Sequence, residues 1–366
     1  MSLTILFLIL LAGFSVNTKP KTLEQIFENH QTPAFALRKI ENDQITFDHA
    51  AGKRALNFST PVTSQDKWHL GSCTKPMTSY LIGILIDQGK LNFNTSLSQI
   101  LSDPLSDEVK NLTIQELLTH RSGLKHVSEL KDDQAWDKLF DQNTPTKILR
   151  LNLVRTILAE VTKFSANSQF EYSNSNYIIL GHVIETLFRK SWEEVMTEKI
   201  FKPLGMSHCG FGPPASRDLA PPDQPWGHLI HKGKLTPIQP LTNEKMISDN
   251  PAAFGPAGTV HCSLDSWSLF LKEMLSAAKG KSQLLTKATA LHFFQLYKDG
   301  TVYGGWGGYH KSWSPGLTHT MVGTNTMNYA RFYVSPEKNL ILMGVTNSGT
   351  DLSQKALDEQ LKRLAE

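Results

Sequence analysis

The sequence predicts an α/β (α+β) fold, in which an antiparallel sheet flanked by helices is built from both ends of the chain. Strand-like segments occur near the start and again near the end. The stretch between them carries helical signals. We therefore expect a sheet lobe formed by residues 19–86 and 251–366, with an all-α lobe inserted at 87–250.

Each end of the chain is predicted to form a β-hairpin. Near the start, Ala34–Arg38 and Gln44–Ala50 are separated by a polar turn. Near the end, Tyr329–Val334 and Leu340–Thr346 are joined by a short polar segment that contains a proline. These four segments are the strands that the sequence shows most clearly.

Capping boxes and apolar stripes predict the helices. Thr113 and Ser191 each precede a glutamate by three positions, as in the capping box that begins many helices. Apolar residues over 178–187 have helical spacing. The pattern from Leu352 to Leu364 predicts a final amphipathic helix.

The first residues predict export. An apolar or small-residue run extends from Leu3 to Phe14 and is followed by Lys19 and Lys21, which indicates a secretory signal peptide over 1–18. The run is shorter than the roughly 20 residues that a membrane span needs. No cysteine follows it at a lipid-attachment position. We expect a secreted or periplasmic protein.

The composition indicates an ordinary globular protein. Of 366 residues, 40% are hydrophobic, which allows a large core. The net charge of +3 has no basic block, so we expect no nucleic acid and no anionic membrane as partner. The cysteines, Cys73, Cys209 and Cys262, allow at most one disulfide. His228 and His231 lack a third ligand, so we expect no metal and no other cofactor.

The stretch Ser72-Cys73-Thr74-Lys75 places a hydroxyl and an amine three residues apart, directly before an apolar segment. Residues three apart share one helix face, so Lys75 can reach the Ser72 oxygen. The start of a helix also favours the negative charge that develops during acyl transfer. We expect Ser72 to be the nucleophile. The alternative nucleophile, Cys73, points in another direction from Lys75.

The same spacing begins at five other serines, so context must select among six matches. Only Ser72 combines a short apolar segment before it, 68–70, with a buried helix after it. The alternative for any such match is a serine that caps a helix, followed by a solvated lysine. The other five matches lie in polar stretches, in loops or at a helix end: Ser64, Ser122, Ser128, Ser276 and Ser335.

Four ordered motifs resemble the class C β-lactamases and penicillin-binding-protein-like serine hydrolases. They are Gly71-Ser72-Cys73-Thr74-Lys75-Pro76, Leu117-Leu118-Thr119-His120-Arg121-Ser122-Gly123-Leu124, Tyr172-Ser173-Asn174 and Pro203-Leu204-Gly205-Met206. The likeness covers roughly Leu23 to Asn347. It implies the β-lactamase/transpeptidase-like fold, with the active site in the cleft between a helical lobe and an antiparallel sheet.

Tyr172 is the residue that the resemblance implies as the catalytic partner of Lys75. An unperturbed tyrosine has a pKa near 10, close to that of lysine, so the two groups would titrate as a coupled pair. Which of them holds the proton stays open. Asn174 can hydrogen-bond Lys75 or a substrate amide. The alternative is that Tyr172 is a buried aromatic.

We expect His120 to order a turn.

The third family element is usually Lys-Thr-Gly or His-Thr-Gly on a strand beside the site, and this sequence departs from it. His319-Thr320-Met321 has the histidine but no glycine. Met321-Val322-Gly323 has the glycine but no basic residue, and we prefer this register. His319, Met321 and Gly323 share one strand face, so His319 can still reach the cleft edge. Two backbone N–H groups are expected to bind the oxyanion that forms on the substrate. One is that of Ser72, and the other is that of Thr324, or of Val322 in the other register.

The sequence therefore predicts a serine acyl hydrolase that forms an acyl-enzyme. Ser72, Lys75 and Tyr172 are the expected catalytic residues. Asn174, His319, Gly323 and Thr324 are expected to bind the substrate, a small-molecule or peptide acyl compound such as a cell-wall peptide. Ester, D-amino-acid peptide and lactam substrates stay open, as does the oligomeric state. The rival hypothesis is a catalytically silent cell-wall-binding or interaction protein.

Overall fold

An eight-stranded antiparallel sheet forms the centre of the computed structural model, which describes residues 21–102, 105–107, 109–124, 127, 138–141, 143–159, 169–242 and 247–366. The predicted signal peptide, 1–18, lies outside the described residues. The strands are β1 Ala34–Glu41, β2 Gln44–Gly52, β3 Lys67–His69, β4 Cys209–Phe211, β5 Gly227–His231, β6 Lys234–Ile238, β7 Val260–Ser263, β8 Leu296–Lys298, β9 Thr301–Val302, β10 Gly307–His310, β11 Leu317–Thr324, β12 Tyr329–Ser335 and β13 Leu340–Thr346.

The helices surround this sheet. They are α1 Leu23–Asn29, α2 Lys75–Asp87, α3 Ile114–Leu118, α4 Thr146–Ala159, α5 Asn174–Phe188, α6 Trp192–Met196, α7 Lys202–Leu204, α8 Gly255–Gly258, α9 Leu264–Ala278, α10 Lys287–Phe294 and α11 Asp351–Ala365. Three 3₁₀ turns, Gly71–Thr74, Leu97–Gln99 and Ala252–Phe254, and a π-helical turn, Thr197–Phe201, complete them.

The strand order of the main sheet is β2-β1-β13-β12-β11-β10-β9-β8. Both predicted hairpins are confirmed, since β1 pairs with β2 and β12 pairs with β13. The two ends of the chain meet where β1 pairs with β13. Because β13 lies between two other strands, its side chains are buried along its whole length. The predicted mixed fold with an antiparallel sheet is therefore confirmed.

Side chains alternate between two cores on the two faces of the sheet. On β1, Phe35 and Leu37 pack with Phe27 of α1 and Leu357 of α11. The intervening residue Ala36 belongs to the larger core, which includes the apolar residues of α2. This period of two is the pattern of a strand that is covered on both faces. The predicted amphipathic helix at the end of the chain, α11, covers the smaller core.

The capping boxes predicted from the sequence are present. Thr113 accepts a hydrogen bond from the backbone N–H of Glu116 at the start of α3, and Ser191 accepts one from Glu194 at the start of α6. Each cap satisfies an N–H group that the helix itself leaves unpaired. The apolar stripe over 178–187 lies in α5, as predicted.

A buried arginine joins the helices of the inserted region. Arg150 of α4 is fully buried, and its guanidinium contacts Glu185 of α5 and Glu193 of α6. Its Nε also donates to the carbonyl of Ala253 at 3.0 Å. A buried charge is tolerated only when its donors are paired, as they are here. The network fixes the turn that leads into α8.

Three short strands lie in the stretch that the sequence analysis assigned to an all-α lobe. They are β4, β5 and β6, and helices α3 to α7 precede them along the chain. Strand β4 pairs with β7, where Cys209 lies opposite Cys262 and forms a disulfide with it. Strands of three to five residues are too short to show a clear period of two in the sequence.

Among the described residues, no helix is both long and apolar enough to span a bilayer.

Candidate active site

Ser72 lies in a 3₁₀ turn that runs directly into α2, whose first residue is Lys75. The prediction that Ser72 opens a buried helix is confirmed, because the side chains of α2 are buried from Lys75 to Leu85. Gly71 has a φ of +49°, and a Cβ on it would lie 2.4 Å from the backbone nitrogen of Thr324. Both facts require glycine immediately before Ser72.

The Ser72 hydroxyl lies between an amine and a phenol. Its Oγ is 3.0 Å from Lys75 Nζ and 2.6 Å from Tyr172 OH. Ser72 and Lys75 are neighbours in sequence, whereas Tyr172 comes from the segment that precedes α5. The structure therefore brings together the three residues that the sequence analysis selected as catalytic. Each contact is within the reach that proton transfer needs.

Lys75 is an amine with two fixed acceptors. Its Nζ donates to Asn174 Oδ1 at 2.8 Å and to the carbonyl of Ala257 at 2.6 Å. The side chain is fully buried, and burial lowers the pKa of Lys75 well below its ordinary value. A neutral amine has two N–H groups for these acceptors and one lone pair, which faces the Ser72 hydroxyl. This arrangement makes Lys75 a proton acceptor for Ser72.

Tyr172 is held as a neutral phenol. Desolvation raises the pKa of Tyr172 above its ordinary value, although 39% of the residue is exposed. Its ring packs beside the ring of His120, with 4.6 Å between centroids. A protonated phenol is a hydrogen donor, so the structure favours a neutral Lys75 and a neutral Tyr172 over an ammonium and a phenolate.

His120 orders the turn that carries Tyr172, as expected. Its Nδ1 accepts a hydrogen bond from the backbone N–H of Ser173 at 3.2 Å, and Asn176 Nδ2 lies 3.1 Å from the same atom. Burial lowers the pKa of His120 to about 3, so the ring stays neutral and Nδ1 stays an acceptor. Ser173 in turn caps α5.

The glycine of the third element lies against the turn that holds Ser72. A Cβ on Gly323 would come within 1.9 Å of the Leu70 carbonyl and 2.8 Å of the Cys73 nitrogen. Strand β11 can approach this closely only with glycine at that position. The close approach favours the register Met321-Val322-Gly323, which the sequence analysis preferred. It also places Thr324 N beside Gly71, which immediately precedes Ser72.

His319 does not lie at the cleft edge, where the sequence analysis expected it. The residue is only 2% exposed, its Nδ1 accepts a hydrogen bond from Trp306 Nε1, and its ring packs on Phe294. Burial lowers the pKa of His319 to about 3, so the ring is neutral. The strand pattern places His319 on the same face of β11 as Met321 and Gly323. It does not show that Trp306 and Phe294 cover His319 and bury it.

Two alternatives for the chemistry receive no support from the described residues. Cys73 is fully buried and burial raises the pKa of its thiol, which disfavours the thiolate that a nucleophile needs. His228 is occupied by backbone, since Nδ1 bonds the Asn347 carbonyl and Nε2 accepts from Leu56 N–H. Within the described ranges, no group of three or more potential metal ligands comes together.

A cavity of about 700 Å³ lies between α4 and the segments 211–217 and 247–252. Asn250 lies in its wall and donates to the carbonyl of Gly258, and a Cβ on Gly258 would lie 3.3 Å from Gly71. Ser72 and Tyr172 do not line the cavity.

The sequence analysis missed two contributors to the site. The Ala257 carbonyl, which accepts from Lys75, is a backbone group and leaves no mark in the sequence. His69, three residues before Ser72, contacts Asp249, which is 180 positions away. A histidine close to the predicted nucleophile was the available signal, but its partner could be found only from the fold.

Comparisons with known proteins identify the family of this chain. A family model described as Beta-lactamase matches residues 20–366. Protein flp of Staphylococcus aureus (strain N315) is 25% identical over 195 residues, which make up 52% of this chain and 37% of that protein. The chain thus matches little more than a third of that relative's length.

Two solved structures are similar in fold. The octameric penicillin-binding protein homologue from Pyrococcus abyssi has a TM-score of 0.72 at 21% identity, covering 94% of this chain and 76% of that one. The D-amino acid amidase from Ochrobactrum anthropi SV3, complexed with L-phenylalanine, has a TM-score of 0.71 at 17% identity, covering 94% and 96%. Identities this low establish the fold alone.

The lowered pKa of Lys75 predicts the pH dependence of the reaction of Ser72. The rate should rise with pH as the amine loses its proton, and it should level off well below pH 10.5, the ordinary pKa of lysine. We would measure kcat/KM for a short-chain activated ester from about pH 5 to pH 10, with subtraction of spontaneous hydrolysis. A rise centred near pH 10.5 would contradict a neutral Lys75.

Substitution of Gly323 tests the register of the third element. Gly323→Ala should lower the rate of reaction at Ser72 by about a hundredfold, because the methyl group forces β11 away from the turn. The matched control is Gly89→Ala, where φ is +66° but no atom lies within 4 Å of the added Cβ. The control should lose about 1 kcal/mol of stability and no activity. Full activity of Gly323→Ala would exclude this register.

Proposed function

The chain belongs to the β-lactamase family, and we propose that it is a serine acyl hydrolase with Ser72 as its nucleophile. The observation that carries the proposal is the position of Ser72 Oγ, which is 3.0 Å from a buried amine and 2.6 Å from a phenol. A serine hydroxyl is a weak nucleophile until an adjacent base can take its proton. Lys75 has the position and the lowered pKa of such a base.

In the acylation step, Ser72 Oγ attacks the substrate carbonyl carbon and its proton passes to Lys75 Nζ. The new ammonium keeps its bonds to Asn174 Oδ1 and the Ala257 carbonyl. The carbonyl oxygen becomes negative and accepts hydrogen bonds from the backbone N–H groups of Ser72 and Thr324. The bond to the leaving group then breaks.

Tyr172 completes the transfer of protons. The leaving group takes the Tyr172 hydroxyl proton as it departs, and the phenolate regains a proton from the Lys75 ammonium. Water then attacks the acyl-enzyme, gives a proton to the same pair, and releases Ser72 with its hydroxyl restored. Acylation and deacylation each begin and end with a neutral amine and a neutral phenol, which is the state that desolvation of both groups favours.

The substrate we propose is a neutral ester or amide. On β11, the position two residues before Gly323 holds Met321, which packs partly buried against the main core. This side chain offers apolar contact rather than charge to a substrate beside Ser72. A carboxylate next to the scissile bond would lose its hydration there. Met321 supplies no positive charge to compensate for that loss.

We also propose that the protein acts outside the cytoplasm. The apolar run from Leu3 to Phe14 supports export. The disulfide between Cys209 and Cys262 fits an oxidising compartment.

Turnover of a panel of acyl substrates tests the proposed function. We would compare a short-chain activated ester, N-acetyl-D- and N-acetyl-L-phenylalanine amide, a D-alanyl-D-alanine peptide and a penicillin. The neutral ester or amide should have a kcat/KM at least about tenfold above that of the two carboxylates, because the Met321 position supplies no cation. Ser72→Ala should lower turnover by about a thousandfold or more.

The control is Ser64→Ala, which alters another serine with a lysine three residues later, on an exposed segment. This variant should keep full activity. Turnover that survives in Ser72→Ala would refute Ser72 as the nucleophile. Binding of peptidoglycan without turnover of any substrate would favour the silent binding protein instead, and preference for the peptide or the penicillin would refute the neutral substrate.

A further inference from the structure

A histidine three residues before Ser72 holds the turn on which Ser72 lies. His69 is 1% exposed, and its Nδ1 accepts a hydrogen bond from the Gly71 backbone N–H at 3.1 Å. Because Nδ1 accepts, the ring proton is on Nε2. Nε2 lies 2.9 and 3.0 Å from the two oxygens of Asp249. Asp249 therefore fixes the orientation of the imidazole, which in turn fixes Gly71.

The same carboxylate holds the chain directly after β11. Asn325 Nδ2 donates to Asp249 Oδ1 at 3.0 Å. Asn325 Oδ1 accepts from the backbone N–H of Asn328 at 3.0 Å, so the amide cannot turn over without losing both bonds. Asp249 and Asn325 are 7% and 5% exposed. The residue immediately before Asn325 is Thr324.

We propose that Asp249, acting through His69 and Asn325, is a positioning residue for the oxyanion site. It sets the position of the Ser72 N–H relative to the Thr324 N–H. The proposal rests on the serine acyl hydrolase function proposed above. Asp249 does not touch Ser72, and its effect is transmitted through the two side chains that it binds.

The two N–H groups need such a link because they come from distant parts of the chain. Ser72 is in the turn before α2 and Thr324 is the last residue of β11. Each follows a glycine, Gly71 or Gly323, and glycine restrains the backbone less than any other residue. Stabilisation of an oxyanion requires donors that are fixed before the reaction begins. One buried carboxylate bonded to both sides supplies that restraint.

The site is selective for a carboxylate at position 249. Asp249 Oδ1 accepts from Asn325 Nδ2 and also from the Asn250 backbone N–H at 2.6 Å, while both oxygens face His69. All of these neighbours are donors. In Asp249→Asn the amide nitrogen faces a donor in either orientation, Asn325 Nδ2 and the Asn250 N–H at the Oδ1 position or the His69 Nε2–H at the Oδ2 position, and two donors cannot bond each other. The substitution therefore keeps the shape and breaks one side of the link.

The test compares Asp249→Asn with wild type on an ester and on the matching thionoester, in which sulfur replaces the carbonyl oxygen. Sulfur is a weak hydrogen-bond acceptor, so the reaction of the thionoester depends little on the N–H groups of Ser72 and Thr324. We expect kcat for the oxygen ester to fall by about tenfold or more, with KM changed less than about twofold. The thionoester rate should fall by less than about twofold, because a positioning loss acts on the oxyanion.

A second variant tests the link directly. In the double variant Asp249→Asn with Asn325→Asp, the carboxylate moves to the other side of the same 3.0 Å contact. The new amide nitrogen at position 249 then donates to the new carboxylate at position 325, and the amide oxygen at 249 still accepts from His69, while the Asn250 backbone N–H loses its acceptor. This exchange should recover part of the lost kcat on the oxygen ester, whereas Asn325→Asp alone should remain slow, since it places two carboxylates opposite each other.

Glu273→Gln is the matched control. Glu273 is also a buried carboxylate, 5% exposed; it belongs to α9, away from Ser72, and accepts from the Gln283 backbone N–H. This variant should lose stability without altering the ester to thionoester ratio. Equal losses by Asp249→Asn on both substrates, or no recovery in the exchange variant, would overturn the positioning role. Failure of the function itself shows separately, as wild-type turnover that does not require Ser72.

Discussion

The burial of an amine beside a hydroxyl is the constraint on which the rest of this site depends. An ammonium at the position of Lys75 would have to give up its hydration, so burial lowers the pKa of Lys75 and favours the neutral base. The fold makes that burial possible with two acceptors, Asn174 Oδ1 from the helical region and the Ala257 carbonyl from α8. Arg150, through Glu185 and Glu193, fixes the segments that deliver both.

Close backbone approach is the second condition, and glycine allows it. Gly71 and Gly323 lie so near the opposing segment that a methyl group on either would overlap backbone atoms. Two segments from distant parts of the chain thereby come into close backbone contact, with Thr324 N beside Gly71. The same glycines leave the backbone loosely restrained, which explains why buried polar side chains gather around them. In this site, glycines allow the two segments to approach closely, and buried polar side chains fix the position of the backbone.

The structure contains the local patterns that the sequence predicts. The long-range arrangements could not be predicted from the sequence. Ser72 and Lys75 are one turn apart, so spacing alone places them together. Tyr172 became a candidate through the family resemblance rather than through any local rule. Alternation places His319 on the same face of β11 as Gly323. The burial of His319 depends on Trp306, which packs against it from another segment of the chain. The short strands at 209–238 include β4, which pairs with β7, a partner that no local pattern reveals.

The most direct measurement is the intact mass of the protein after exposure to a fluorophosphonate, followed by mapping of the modified peptide. We expect one phosphonyl adduct, located on Ser72, in the wild-type protein and none in Ser72→Ala. Such an adduct shows that the hydroxyl between Lys75 and Tyr172 is activated as the geometry indicates. An unmodified wild-type protein, or an adduct on another residue, would contradict the assignment of Ser72 as the nucleophile.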